Sequence, residues 1–122
     1  MAALFTARRL YCYKFDDSCL KVLAERLWPR GFRKSDLRVD MWAKDLAPSD
    51  ELRRWFSHDP ARWDEFRVRY YAELAGKEPL LRELCEEARR RGCAVLLYSA
   101  KDEEHNSAVA LAEFLGGFCE QS

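Results

Sequence analysis

The chain has no excess charge of either sign. Its 122 residues carry 21 Lys and Arg against 21 Asp and Glu, so no global field holds a polyanion non-specifically. It has no GxGxxG and no GxxxxGK[ST], which disfavours dinucleotide and P-loop chemistry, and no other cofactor motif is visible. Its two histidines, His58 and His105, show no HxH, HxxxH or HExxH spacing, so neither a metal nor a cofactor is expected. Ser99 lacks the GxSxG elbow of a serine hydrolase. No apolar run could span a bilayer, and Met1 to Arg9 has its arginines on the wrong side of a short apolar run for a secretory signal. The five cysteines, Cys12, Cys19, Cys85, Cys93 and Cys119, form no CxxC pair and are odd in number, which argues against a disulfide framework or a zinc knuckle. Reduced thiols in a cytoplasmic protein are therefore expected, with Cys85 and Cys93 as small core residues.

What is present is enough for one domain spanning residues 1–122, long enough to build a core without staples. Charge is uneven along it. Lys21 to Lys44 holds seven basic residues against three acidic, whereas Asp102 to Ser122 holds five acidic residues and no Lys or Arg. The molecule should have a basic and an acidic side, although most such charges only solvate a surface.

The organising stretch is Arg26-Leu27-Trp28-Pro29-Arg30-Gly31. Pro29 fixes its own φ and pushes Trp28 towards an extended conformation, and Gly31 permits a backbone angle that Cβ resists. Arg26 and Arg30 flank this turn and could present planar forks to a carboxylate or phosphate. Upstream, Leu4 to Thr6 and Leu10 to Phe15 read as one strand, interrupted by Asp16-Asp17-Ser18. Cys19 to Leu27 suits a buried strand ending at Trp28. The spacing 20, 23, 24, 27 equally suits a helix, and the turn chemistry that follows decides for strand.

Phe32 to Pro48 reads as a long irregular loop anchored by Val39, Met41, Trp42 and Leu46, and loops of that length are usually functional or mobile. Ser49 offers an N-cap to a short helix with Leu52, Trp55 and Phe56 on one face. Asp59-Pro60 starts another, whose stripe Trp63, Phe66, Tyr70 and Leu74 runs to Gly76 and reads as core before it reads as a base-stacking platform. Pro79 to Arg91 is a third helix, with Leu80, Leu84 and Ala88 inward, Glu86–Arg90 and Glu87–Arg91 pairs outward, and Gly92 as its stop. Cys93 to Tyr98 is an unbroken apolar run, as expected of a strand covered on both faces. Asp102 can cap a last helix burying Ala108, Leu111, Ala112 and Leu115 before Gly116-Gly117. The sum is an α/β fold, a compact three-layer single domain with a small, mainly parallel sheet flanked by helices.

In such a sheet ligands bind outside the carboxyl ends of the strands. Arg26, Trp28 and Arg30 leave one strand there, and Tyr98, Ser99, Lys101, Asp102 and Glu103 leave the other. His105 and Asn106 would lie in the first turn of the last helix, where free N–H groups attract anions, and His58 could approach from the long connection. Asp102, Glu103 and His105 are the acid/base candidates, and the remaining eight form the anion-binding set. Arg26 is expected to contact a carboxylate of Asp102 or Glu103. Each has a plainer reading as cap, dipole partner or solvated charge, and Trp28 and Trp42 as packing. The expectation is a hydrolase-like enzyme on a small anion such as a nucleotide or sugar phosphate. The alternatives are a nucleic-acid-binding or regulatory module using Arg30, Arg33, Lys34 and Arg38, or a partner-binding protein without catalysis.

The stretches RLWPRG, WAKDLAPS, LRRWFSHDPARW, RYYAEL and LLYSAKDEEHNSAVAL, in that order, resemble the YeaO-like branch of the domain of unknown function 488 family over nearly all of the chain beyond residue 20. The resemblance implies a three-layer α/β domain of bacterial or archaeal type and no established activity. Three positions depart from the usual pattern: Glu25 stands for an aspartate, Cys19 for a glycine, and Ser107 for a larger polar residue.

Overall fold

A computed structural model describes residues 4–15 and 17–121, with Gln121 through its backbone alone. Asp16, part of the polar break expected after the first strand, lies outside the described residues. Four strands, β1 (Phe5–Arg9), β2 (Leu20–Leu23), β3 (Met41–Trp42) and β4 (Ala94–Tyr98), form one sheet in the order β1-β4-β2-β3. Every pairing is parallel, with Leu96 between Ala7 and Val22 at the centre. Among the described residues four α-helices accompany them: α1 (Asp50–Phe56), α2 (Trp63–Ala75), α3 (Glu78–Arg91) and α4 (Ser107–Gln121).

The alternation of the strands divides the core into two faces. Leu20, Val22, Ala94, Leu96 and Tyr98 point into one cluster with Leu52, Phe66, Tyr70, Leu84, Leu111 and Leu115, so all four helices lie on that side. Leu23, Val95 and Leu97 point the other way, where Leu10 and Leu37 cover them together with half-buried Tyr13, Trp28, Phe32 and Trp42. The three layers are thus helix, sheet and largely irregular chain. All five residues of β4 are buried, which is why its sequence is uniformly apolar.

Local signals account for most helix limits. The Ser49 hydroxyl accepts from Leu52 N at 3.2 Å, and Asp59 Oδ1 accepts from Ala61 N at 3.0 Å to open the turn that leads into α2. Gly92 adopts φ 91° and closes α3 as a left-handed cap. Several expectations are corrected. β1 ends at Arg9, where residues 10–12 tighten into a 3-10 turn. β2 ends at Leu23 rather than Trp28, and Leu27 beyond the bend is 64% exposed. The irregular stretch after Phe32 contains β3, which pairs with β2. In α3 the inward residue is Leu81, not Leu80, and the ion pairs are Glu87–Arg90 and Arg91–Asp40. α4 begins at Ser107 and continues through Gly116-Gly117 to Gln121, because its packed face outweighs the propensity penalty of two glycines.

The cysteines are the largest correction. Cys19 pairs with Cys93 and Cys85 with Cys119 as disulfides, leaving Cys12 free and exposed. Leu20 is paired with Ala94, so the residues before them are forced together, and α3 packs against α4 to bring the second pair into reach. Sequence spacing carries neither fact. Among the described residues no helix is long and apolar enough to cross a membrane.

Candidate functional site

β2 and β4 are neighbours, yet the segments that leave them part company. After β2 the chain passes to the face covered by Trp28, Phe32 and Leu37, whereas after β4 it passes to α4 on the helical face. Such a divergence at the carboxyl ends of adjacent parallel strands opens a crevice. A cavity of about 380 Å³ lies there, small-molecule in size. Its wall includes buried Phe56, Phe66 and Tyr98, and the exposed Tyr11, Leu27 and Arg30.

The RLWPRG turn is held from several sides. The Trp28 indole N–H donates to Phe32 O at 2.7 Å, and the Trp42 indole N–H donates to Glu25 O at 2.7 Å. The two rings meet edge to face at 5.3 Å, so both tryptophans pack, and Trp28 also lines the cavity. Gly31 has φ 86°, the left-handed angle its position in the turn demands.

The basic groups of the wall come from two places. Arg26 and Arg30 belong to the turn, and Arg53 and His58 to α1 and its end. Arg26 Nε donates to Pro48 O at 3.1 Å and lies 3.7 Å from Asp50 Oδ1, so its carboxylate partner is Asp50, not Asp102 or Glu103. Asp50 sits at the start of α1, a tertiary neighbour that the chain order of the strands could not indicate. Arg53 shares the same carboxylate at 3.3 Å. The Arg30 guanidinium has no hydrogen-bond or ion-pair partner among the described residues. Ser57 and His58 hold φ of 47° and 55°, two consecutive residues with Cβ in left-handed conformation, and this kink turns the chain at the cavity.

Glu25 is the one carboxylate in the cavity wall among the described residues. Its Oε1 accepts from Ser99 N at 2.7 Å and from Ser99 Oγ at 3.1 Å, which ties the chain leaving β2 to the chain leaving β4. Burial raises its pKa above the ordinary 4.5, against the lowering effects of the Ser99 bonds and of the His58 and Arg53 charges. In the sequence Glu25 stands out only as a departure from a family pattern. The usable signal was its place two residues beyond β2, opposite Ser99.

The cavity brings together Arg26, Trp28, Arg30, His58, Tyr98, Ser99 and Asn106 of the expected set, and adds Glu25 and Arg53. Lys101, Asp102, Glu103 and His105 do not line it. Asp102 closes its own turn: Oδ1 accepts from Glu104 N at 2.9 Å and His105 N at 3.0 Å, and Oδ2 meets His105 Nδ1 at 3.0 Å. Those bonds, the Glu104 N–H first, hold the Asp102 carboxyl below its usual range. Asp102 was expected to cap α4, but that cap is Asn106, whose Oδ1 accepts from Val109 N at 2.9 Å while Nδ2 donates to Asp102 O at 2.9 Å. His105 therefore precedes the helix, its ring edge-on to Trp63. Glu103 faces a separate, smaller depression beside Arg8, Arg9 and Lys14. Among the described residues no group of three or more His, Cys, Asp or Glu is placed to hold a metal.

The fold and the cavity define a compact α/β domain with a small-molecule crevice at the switch point of a parallel sheet. A family profile described as the inactive DUF488-N3 subclade matches residues 4–122. The chain is 39% identical over 108 residues to uncharacterized protein YeaO of Escherichia coli, covering 88% of this chain and 93% of that protein. It is 41% identical over 103 residues to uncharacterized protein Rv3073c of Mycobacterium tuberculosis and to uncharacterized protein Mb3100c of Mycobacterium bovis, covering 83% of this chain and 84% of each. The chain belongs to the YeaO-like branch of the domain of unknown function 488 family. No solved structure matches it.

Proposed function

We propose that this domain binds a small anionic ligand, such as a nucleotide or a sugar phosphate, in the crevice at the carboxyl ends of β2 and β4. The observation that carries this reading is the combination, in one cavity wall, of Arg26, Arg30, Arg53 and His58 with a single carboxylate. Arg30, with no partner of its own, is the natural anchor for a phosphate. Binding without turnover is favoured over hydrolysis. The Asp102–His105 pair is engaged in its own turn away from the cavity, and the subclade to which the chain belongs is described as inactive.

A thermal-shift series with inorganic phosphate, ribose 5-phosphate and nucleoside monophosphates tests the reading. A ligand at a hundred times its Kd should add about 2.7 kcal/mol of stability. Arg30→Ala and Arg53→Ala should remove that gain while leaving the ligand-free melt nearly unchanged. Absence of a shift with every anion would sink the proposal, and salt-sensitive capture of oligonucleotides instead would favour the nucleic-acid alternative. Release of phosphate or base from a bound compound would restore the hydrolase reading.

A cytoplasmic location belongs to this proposal, since such metabolites are intracellular. A reducing compartment would open the Cys19–Cys93 and Cys85–Cys119 disulfides to dithiols, so their state in the cell reports the location. Thiol counting in rapidly quenched cells checks it: two disulfides there would contradict the location.

A further inference from the structure

The free hydrogen-bonding groups of the crevice are few, and they are of different kinds. Asn106 spends its carbonyl on Val109 N and its amide on Asp102 O, so it offers a ligand little. The Ser99 N–H and hydroxyl proton both go to Glu25 Oε1. An oxygen that accepts two such bonds has filled both lone pairs, and the bonds also fix the plane of the carboxyl group. Oε2 of the same group has no hydrogen-bond partner among the described residues. The crevice therefore presents one oriented, ionisable acceptor together with unspent cationic donors, above all Arg30. Around them stand the aromatic residues Phe56, Phe66, Tyr98 and Trp28.

That inventory constrains a ligand beyond its negative charge. A sugar phosphate carries many hydroxyls, each wanting a partner, and much of this wall is aromatic. A planar heterocycle with one polar edge leaves its faces to the aromatic groups and needs only one acceptor at its rim. Carboxylates accept from the exocyclic amines of bases, as glutamate does from the cytosine amino group.

We infer that the crevice selects a nucleoside phosphate bearing an exocyclic amino group, with Glu25 Oε2 accepting from the amine and the arginines holding the phosphate. The inference rests on the anion-binding reading above and narrows it from small anions to amino-bearing bases. Glu25 is in this view a specificity-determining residue, and Ser99 positions it.

Two matched pairs of probes bear on the amine, cytidine with uridine monophosphate and adenosine with inosine monophosphate: in each, the second member has a carbonyl in place of the exocyclic amine and an N–H in place of the adjacent ring-nitrogen acceptor, so the comparison asks whether Glu25 takes the amine or the ring N–H. Calorimetric titration of the wild-type protein should show the amino member of at least one pair binding about tenfold or more tightly, since a site built around a hydrogen bond rejects the analogue lacking it. Glu25→Gln should reverse that preference. Its carbonyl must stay on Ser99, which leaves the amide N–H₂, a donor, where Oε2 stood.

Equal affinities within both pairs, or a preference of the wild-type protein for the carbonyl members, would overturn the inference and leave the anion-binding reading standing. Ribose 5-phosphate or glucosamine 6-phosphate binding as tightly as the best nucleotide would do the same. No binding by any of the phosphates, inorganic phosphate included, would bring down both. The wild-type comparison needs no variant, so the outcome does not depend on Glu25→Gln folding.

Discussion

Replacing Glu25 should cost very different amounts of stability according to what replaces it. In the native protein its Oε1 takes two bonds from Ser99, at 2.7 and 3.1 Å. Alanine removes the acceptor and leaves a half-buried backbone N–H and hydroxyl to find water in the crevice, a loss of about 1–3 kcal/mol. Glutamine keeps a carbonyl at the same reach. It forfeits charge assistance to the two bonds, but it also removes the desolvation that acts most strongly on this carboxyl. Because the folded pKa lies above 4.5, the net environment favours the neutral form, and Glu25→Gln is expected within about 1 kcal/mol of wild type at neutral pH.

The pH dependence follows from the same direction. A carboxyl with a raised folded pKa binds its proton more tightly in the native than in the unfolded state. Its contribution is fully present below the ordinary glutamate value of 4.5 and is lost as pH rises through the folded pKa. Wild-type stability relative to Glu25→Gln should therefore fall as pH rises from the ordinary glutamate value of 4.5 into the neutral range. Urea unfolding followed by the fluorescence of the four tryptophans, for wild type, Glu25→Gln and Glu25→Ala at both ends of that range, measures it. A difference between wild type and Glu25→Gln that does not move with pH would mean the carboxylate is as well solvated as in the unfolded chain. Glu25→Ala melting with Glu25→Gln would mean the Ser99 bonds contribute nothing.

Other expectations are as direct. Ser57, at φ 47°, should accept glycine with a gain of about 1 kcal/mol, read from the denaturant midpoint, and a loss would show the left-handed cap to be unstrained. Glu73 accepts from Ser49 N at 2.9 Å and Ser49 Oγ at 2.6 Å, so Glu73→Ala and Ser49→Ala should each cost about 1–3 kcal/mol and the double variant clearly less than their sum in a mutant cycle. Cys19→Ser should lower oxidised stability by about 2–4 kcal/mol. Identical melts with and without dithiothreitol would refute the pairing of Cys19 with Cys93. Arg26→Ala should cost about 1–2 kcal/mol through its bond to Pro48 O, and Arg33→Ala, whose side chain is 86% exposed, less than about 0.5 kcal/mol; equal small losses would make Arg26 a surface charge.

Helices were legible where short-range chemistry decides them. Ser49, Asp59 and Gly92 act on backbone groups within four residues of themselves, so their caps stand in the structure as read. The apolar run ending at Tyr98 and the special angle at Gly31 are local in the same sense. Local signals mislead where a distant partner outweighs local preference: in the early end of β2, in the short pairing of Met41–Trp42 with it, and in the passage of α4 through two glycines. The candidate site divides along the same line. Arg26, Trp28, Arg30, Tyr98 and Ser99 flank strand ends and could be grouped from the sequence, whereas Asp102 and His105 do not join them in the cavity wall because their tight turn engages the Asp102 carboxylate.

The sequence by itself therefore determined the types of the longer elements, most helix caps, the parallel α/β class and the family, because each rests on periodicity, turn chemistry or motif order along the chain. Only the tertiary structure decided which strands are neighbours, and from that single fact came the rest. Placing β4 between β1 and β2 sets Glu25 against Ser99, brings Cys19 to Cys93, and sends the two following segments to opposite faces to open the crevice. Contacts between residues 74 positions apart carry no local signature, since their free energy is realised only when the sheet has formed.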